Sequence, residues 1–205
     1  QRLSAQIDNG SGNYPASDTV ILLVQNETGY ENLLQLVSKY HLESGDINVN
    51  QISMELLKEF SNGLIAFTGG PAGGVGRLLS EGQVDDATIL LQELKQIFDD
   101  RLYVELMRHN LDIERRIEPA LIELAYQFGL PLIATNECFF ISHDMYEAHD
   151  ALICISEGAY ISQPERRRFT SEHRLKTPQE MRELFADLPE AIDNTLVVAQ
   201  RCSAM

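Results

Sequence analysis

An α/β fold built on parallel strands is what this 205-residue sequence predicts. Strand-length apolar runs alternate with longer segments whose apolar residues recur every three or four positions. Polar or Gly-rich turns separate them, and that alternation marks layered or barrel α/β architectures. A hydrophobic content of 44% supplies a sizeable core for one domain of ordinary size.

The elements follow in order. Residues 1–18 are rich in Ser, Gly and Asn and predict a poorly ordered lead-in. Thr19 to Val24 reads as a buried strand, and Glu31 to Tyr40 as an amphipathic helix with Leu33, Leu34, Leu36 and Val37 on its apolar stripe. A loop around Ser44, Gly45 and Asp46 leads to a helix from about Ile52 to Phe60. Leu64 to Phe67 is a short strand running into Thr68-Gly69-Gly70. Val75 to Leu79 and Asp85 to Phe98 read as helices, and Leu102 to Met107 as a strand.

Ile113 to Phe128 is a helix closed by Gly129, which suits a left-handed C-terminal position. Pro131 to Thr135 is another strand and Asp144 to Ile155 another helix. After Gly158 the character changes. Residues 159–176 are polar and carry Arg166, Arg167 and Arg168. Thr177-Pro178-Gln179-Glu180 then gives a strong helix start, with an N-cap Thr, Pro at the first position and Glu at the capping-box position. Pro189 opens a last helix ending near Cys202.

Charge narrows the function. The formal net charge is −15, whereas a domain that grips duplex DNA alone presents a basic face. No stretch approaches the ~20 apolar residues of a membrane span, and nothing at the start marks export. Three cysteines, Cys138, Cys154 and Cys202, form no CxxC pair, which fits reduced thiols in a cytoplasm. Cys154 lies in an apolar run and reads as a small buried residue.

Several motifs invite chemistry. Gly69 to Gly76 joins a strand to a helix, but it lacks the Lys-Ser/Thr of a P-loop and the GxGxxG spacing. A tight turn is the commoner explanation, and anion binding at the helix start the sharper one. Glu137 follows a strand, at the edge where α/β barrels place functional groups. One carboxylate makes no metal site, which needs about three converging ligands. His143 and His149 stand six apart, a spacing that does not share a helix face, and read as capping or surface residues. Arg166, Arg167 and Arg168 are candidates for phosphate or DNA contact, against the commoner reading of a solvated loop. No Ser occupies a nucleophile elbow, and Cys138 has no evident partner base.

Particular strings go further. Asn26-Glu27-Thr28-Gly29-Tyr30-Glu31-Asn32-Leu33, Leu130-Pro131-Leu132-Ile133-Ala134-Thr135-Asn136, Glu180-Met181-Arg182-Glu183-Leu184-Phe185 and Pro189-Glu190-Ala191-Ile192-Asp193-Asn194-Thr195 occur in that order. Together they resemble the PHP (polymerase and histidinol phosphatase) domain of the alpha subunits of bacterial DNA polymerase III. The resemblance implies an incomplete PHP-type distorted (β/α) barrel with C-terminal helices. Residues 19–158 would be the barrel portion, and 159–205 the helical part leading toward a polymerase core.

Intact members of the family hold up to three metal ions with nine ligands, mainly His with Asp, Glu and Cys. By the resemblance, the early ligands, including a His-x-His motif, precede the first residue here. Of the later ones, Thr19 stands for a His, Gly70 for a Cys, Glu137 for an Asp and Phe139 for a His. A phenyl ring has no lone pair to donate, so the implied site is degenerate and holds no intact metal set.

The expectation is therefore a non-catalytic scaffold and interaction domain without a cofactor of its own. Its parent would be a polymerase using Mg for template-directed DNA synthesis. The implied partners are the remainder of that alpha subunit, a proofreading exonuclease subunit, and DNA through the parent chain. The rival reading is a metal-dependent phosphoesterase or 3′–5′ exonuclease relying on Glu137, His149 and the Gly-rich turn. Strand edges left open by a truncated barrel would also favour self-association.

Overall fold

The computed structural model describes residues 2–5, 18–42, 52–164 and 166–202. The expected loop at Ser44, Gly45 and Asp46 and most of the lead-in, 6–17, lie outside the described residues. Within the lead-in, Arg2–Ala5 (β1) is a strand, paired antiparallel with Asp18–Val24 (β2). Strand pairing there leaves no trace in local periodicity, which is why the sequence reads it as a plain lead-in.

Leu64–Phe67 (β3), Leu102–Met107 (β4) and Leu132–Thr135 (β5) complete a five-stranded sheet in the order β1-β2-β3-β4-β5. The sheet is mixed. β3, β4 and β5 run parallel, as the alternation predicts, but β2 is antiparallel to β3. The register sets Val24 opposite Leu64, so the chain leaves β2 and enters β3 at the same end of the sheet. The Gln25 amide donates to the Gly63 carbonyl there at 2.8 Å. Between these strands lie Glu27–Leu42 (α1) and Met54–Glu59 (α2). Periodicity marks a strand but not its direction, and a connection carrying two helices can return to the end it left.

Helix starts are set by short polar side chains. α1 begins four residues earlier than its apolar stripe suggests, because Asn26 Oδ1 accepts from the Gly29 amide at 3.0 Å. Ser53 Oγ accepts from the Leu56 amide at α2. Gly74–Ser80 (α3) and Val84–Phe98 (α4) precede β4, and Asp112–Phe128 (α5) joins β4 to β5 in a parallel crossover. Gly129 ends α5 at φ 60°, and the Leu130 amide reaches back to the Ala125 carbonyl. Tyr146–Glu157 (α6) follows a single 3₁₀ turn at His143–Met145. Pro178–Leu184 (α7) carries the expected capping box: Thr177 Oγ1 accepts from the Glu180 amide at 3.2 Å, and Glu180 accepts from the Thr177 amide at 2.7 Å. Pro189–Arg201 (α8) packs along β5, and Asn194 Nδ2 donates to the Leu132 carbonyl at that edge.

Alternate residues of the strands feed two apolar clusters, as the two-residue strand period requires. Leu64, Ala66, Val104, Leu106, Leu132 and Ala134 pack beneath α1 to α5. Ile65, Phe67, Tyr103 and Ile133 face the other way, toward Val198 of α8. Each fully buried Leu contributes ~2 kcal/mol. Arg108 ties the C-terminal helices on: it forks onto Glu118 and Asp187 and lies 4.5 Å over the Phe185 ring. Among the described residues no helix is long and apolar enough to cross a membrane.

The Gly-rich turn is packed against its own backbone. A Cβ at Gly73, whose φ is an ordinary −83°, would sit 1.7 Å from the Thr68 carbonyl oxygen. Gly82, at φ 78°, has open space around it. Gly73→Ala is therefore expected to lower stability by about 1–3 kcal/mol or more through overpacking. Gly82→Ala is expected to cost only the left-handed backbone penalty, about 1 kcal/mol. Urea midpoints of the two variants check the ranking.

Candidate functional site

The C-terminal ends of β3, β4 and β5 lie at one edge of the sheet, and antiparallel β2 brings its beginning to the same edge. All four sequence-singled positions fall there. Thr19 is half-buried in β2, and its carbonyl crowds Gly69, where a Cβ would lie 2.1 Å away. Gly70 is buried at φ 53°, with the space of a side chain filled by Met107: a Cβ would meet its sulfur at 3.2 Å. Glu137 and Phe139 follow β5.

The residues that organise this edge are His109, Glu114 and His173, none of which the sequence singled out. His109 lies two residues beyond β4, and Glu114 is in the first turn of α5. All three are buried. Glu114 Oε1 lies 2.8 Å from His109 Nδ1, and its Oε2 accepts from the backbone amides of His109 (2.6 Å) and Leu111 (3.1 Å). On the other side, His109 Nε2 accepts from the Glu137 amide at 3.1 Å. A backbone amide can only donate, so the proton of His109 resides on Nδ1 and its Nε2 lone pair is used.

His173 stacks on His109, with centroids 4.1 Å apart and planes 15° apart. Its Nδ1 accepts from the Thr170 amide at 3.1 Å, which puts its proton on Nε2. Thr170 Oγ1 donates to the His109 carbonyl at 2.6 Å. Burial, with His109 beside it, pushes the His173 pKa from an ordinary 6.5 down to about 4. At neutral pH the His173 ring of this stacked pair is uncharged.

Phe139 extends the stack. Its ring lies 5.8 Å from His173, 5.7 Å from His149 and 4.2 Å from Phe169. The Phe139 amide donates to the His173 carbonyl, and the Leu175 amide to that of Phe140, so residues 173–175 run beside 139–140. The donor set does not fit a metal cluster. Phe139 and Gly70 offer no lone pair, His109 Nε2 and His173 Nδ1 already accept backbone hydrogens, and among the described residues no group of three or more His, Cys, Asp or Glu converges on one point.

The remaining candidates scatter. Arg166 is committed to Asp150 through two bonds of 2.6 and 2.5 Å, and its side chain is almost fully buried; a fork closed on a carboxylate does not reach out to a phosphate. Arg167 and Arg168 are exposed. His143 is exposed, and His149 lies within the ring cluster. Cys138 is exposed and Cys154 buried. A cavity of about 350 Å³ opens beside Glu114, lined by Arg108, Arg115 and Glu172, with Arg108 already paired.

The family model described as "PHP domain" matches residues 4–109. The chain is 47% identical over 187 residues to the DNA polymerase III subunit alpha of Caulobacter vibrioides, covering 91% of this chain. It is 40% identical over 183 residues to that of Rickettsia bellii and 38% identical over 183 residues to that of Pseudomonas aeruginosa, each across 89% of this chain. The chain spans about 16% of the length of these relatives. It belongs to the PHP domain family.

The buried His173 ring sets a pH dependence. His173 binds its proton at about pH 4 when folded and near 6.5 when unfolded. The unfolded chain therefore takes the proton first, and stability falls as pH drops from about 6.5 to about 4. His173→Phe is expected to cost about 1 kcal/mol at pH 7 through the lost Thr170 bond, and to flatten the slope between pH 6.5 and 4. Urea unfolding at a series of pH values reads both effects.

Proposed function

We propose that this PHP domain works within the alpha subunit of a bacterial replicative DNA polymerase as a non-catalytic scaffold that docks the proofreading exonuclease subunit. The observation that carries the reading is the consumption of His109: Glu114 holds one ring nitrogen and the Glu137 amide the other. A histidine so placed orders the ends of β4 and β5 and the 170–175 segment, which is a structural task. The relatives, all alpha subunits, support the wider setting. In that setting template-directed DNA synthesis, its Mg ions and the grip on DNA belong to other parts of a longer cytoplasmic protein.

The scaffold reading makes a direct claim. The 205-residue chain is expected to bind the proofreading exonuclease subunit of its own organism in isothermal titration calorimetry. Supplied with excess manganese or zinc, it is expected to retain less than stoichiometric metal after desalting and to leave p-nitrophenyl phosphate intact. Stoichiometric retention together with hydrolysis that disappears in Glu137→Ala would establish the phosphoesterase reading instead. Absence of exonuclease binding would remove the docking role.

A further inference from the structure

The strongly acidic chain carries one locally basic segment. Of its 16 Lys and Arg residues, Arg166, Arg167, Arg168, Arg174 and Lys176 fall within eleven positions that hold a single acid, Glu172. Three of these five cations have internal work: Arg166 on Asp150, Arg174 on Glu180 and Lys176 on Asn136. Arg167 and Arg168 are left facing outward. Arg167 is 63% exposed, with Glu157 at 3.9 Å, the outer limit of an ion pair.

Aromatic rings flank both. Arg167 lies 5.0 Å over the Phe169 ring, which is packed 4.2 Å from Phe139, itself 40% exposed. Arg168 reaches the Ile161 carbonyl, next to Tyr160, a residue 74% exposed. Exposed rings interleaved with unclosed guanidinium forks suit a ligand with repeated anionic groups and flat π-faces. Single-stranded nucleic acid has both: phosphates spaced along a backbone, and unpaired bases that stack on aromatic side chains. An acidic peptide would match the charge but leave the rings unused.

We propose that Tyr160, Phe139, Arg167 and Arg168 form a sequence-tolerant contact surface for single-stranded nucleic acid at the edge of the domain. Clustering of five cations within eleven positions of a chain whose net charge is −15 favours this one place for an anionic strand. The surface is built from residues that the exonuclease-docking reading does not use, so either can fail alone.

Fluorescence anisotropy of the 205-residue chain with labelled oligothymidylate, from 20 to 200 mM salt, tests this. Binding at low salt is expected, with Arg167→Gln/Arg168→Gln lowering the log–log salt slope by about 1.4, near 0.7 for each lost phosphate contact. Tyr160→Ala, at an exposed position outside the core, is expected to weaken binding roughly fivefold or more by removing one stacking face. Phe139→Leu keeps the apolar packing while removing the π-face and is expected to weaken it as well. No binding at 20 mM salt, double-variant binding equal to the parent, or a polyglutamate peptide competing as well as the oligonucleotide would each overturn the proposal.

Discussion

The imidazole of His109 is gripped on both sides, and much of the functional edge depends on that grip. Glu114 fixes its tautomer from the first turn of α5, and the Glu137 amide closes the opposite nitrogen from the segment after β5. Two parallel strands are thereby tied at their C-terminal ends through one ring. Thr170 adds a third strand of chain by bonding the His109 carbonyl and the His173 ring together. Removing water from these polar groups is costly unless each is paired, and the network pairs the ring nitrogens that a metal would otherwise need.

The ring stack follows from the same constraint. With His109 locked, His173 has a flat neighbour to cover, and Phe139 and Phe169 continue the apolar layer outward. An imidazolium in that layer would face a second imidazole in a buried place, so the neutral form prevails. A histidine-rich edge has thus become a packed aromatic wall, while the glycines at the end of β3 let the backbone close tightly against β2 and β4.

Much of the fold was legible in the sequence because it rests on local signals. Apolar runs gave β2 to β5, the Thr177–Glu180 box gave the start of α7, and Gly129 gave the end of α5. Strand direction was not legible: nothing between Val24 and Leu64 says that the chain comes back to the end it left. Asn26 hid the true start of α1, because its capping bond precedes the apolar stripe. At the site, resemblance singled out Thr19, Gly70, Glu137 and Phe139 as ligand positions, and the sheet brings them to one edge. His109, Glu114 and His173 escaped notice because their partnership spans 64 positions and leaves no motif; the nearest hint was the pairing of His109 with a Glu five residues on. Arg166 looked like its neighbours in the sequence, and only the buried fork with Asp150 separates it from them.

The imidazole lone pairs of this PHP domain are turned inward, and exposed rings and guanidinium groups lie beyond Phe139. The most direct test of the inward-turned site is the ¹⁵N NMR spectrum of the histidine rings, recorded with and without equimolar zinc. The account predicts His109 protonated on Nδ1 and His173 on Nε2 at pH 7, with both sets of ring shifts unchanged by zinc. Ring nitrogens of His109 or His173 that move to metal-bound positions on zinc addition would contradict it.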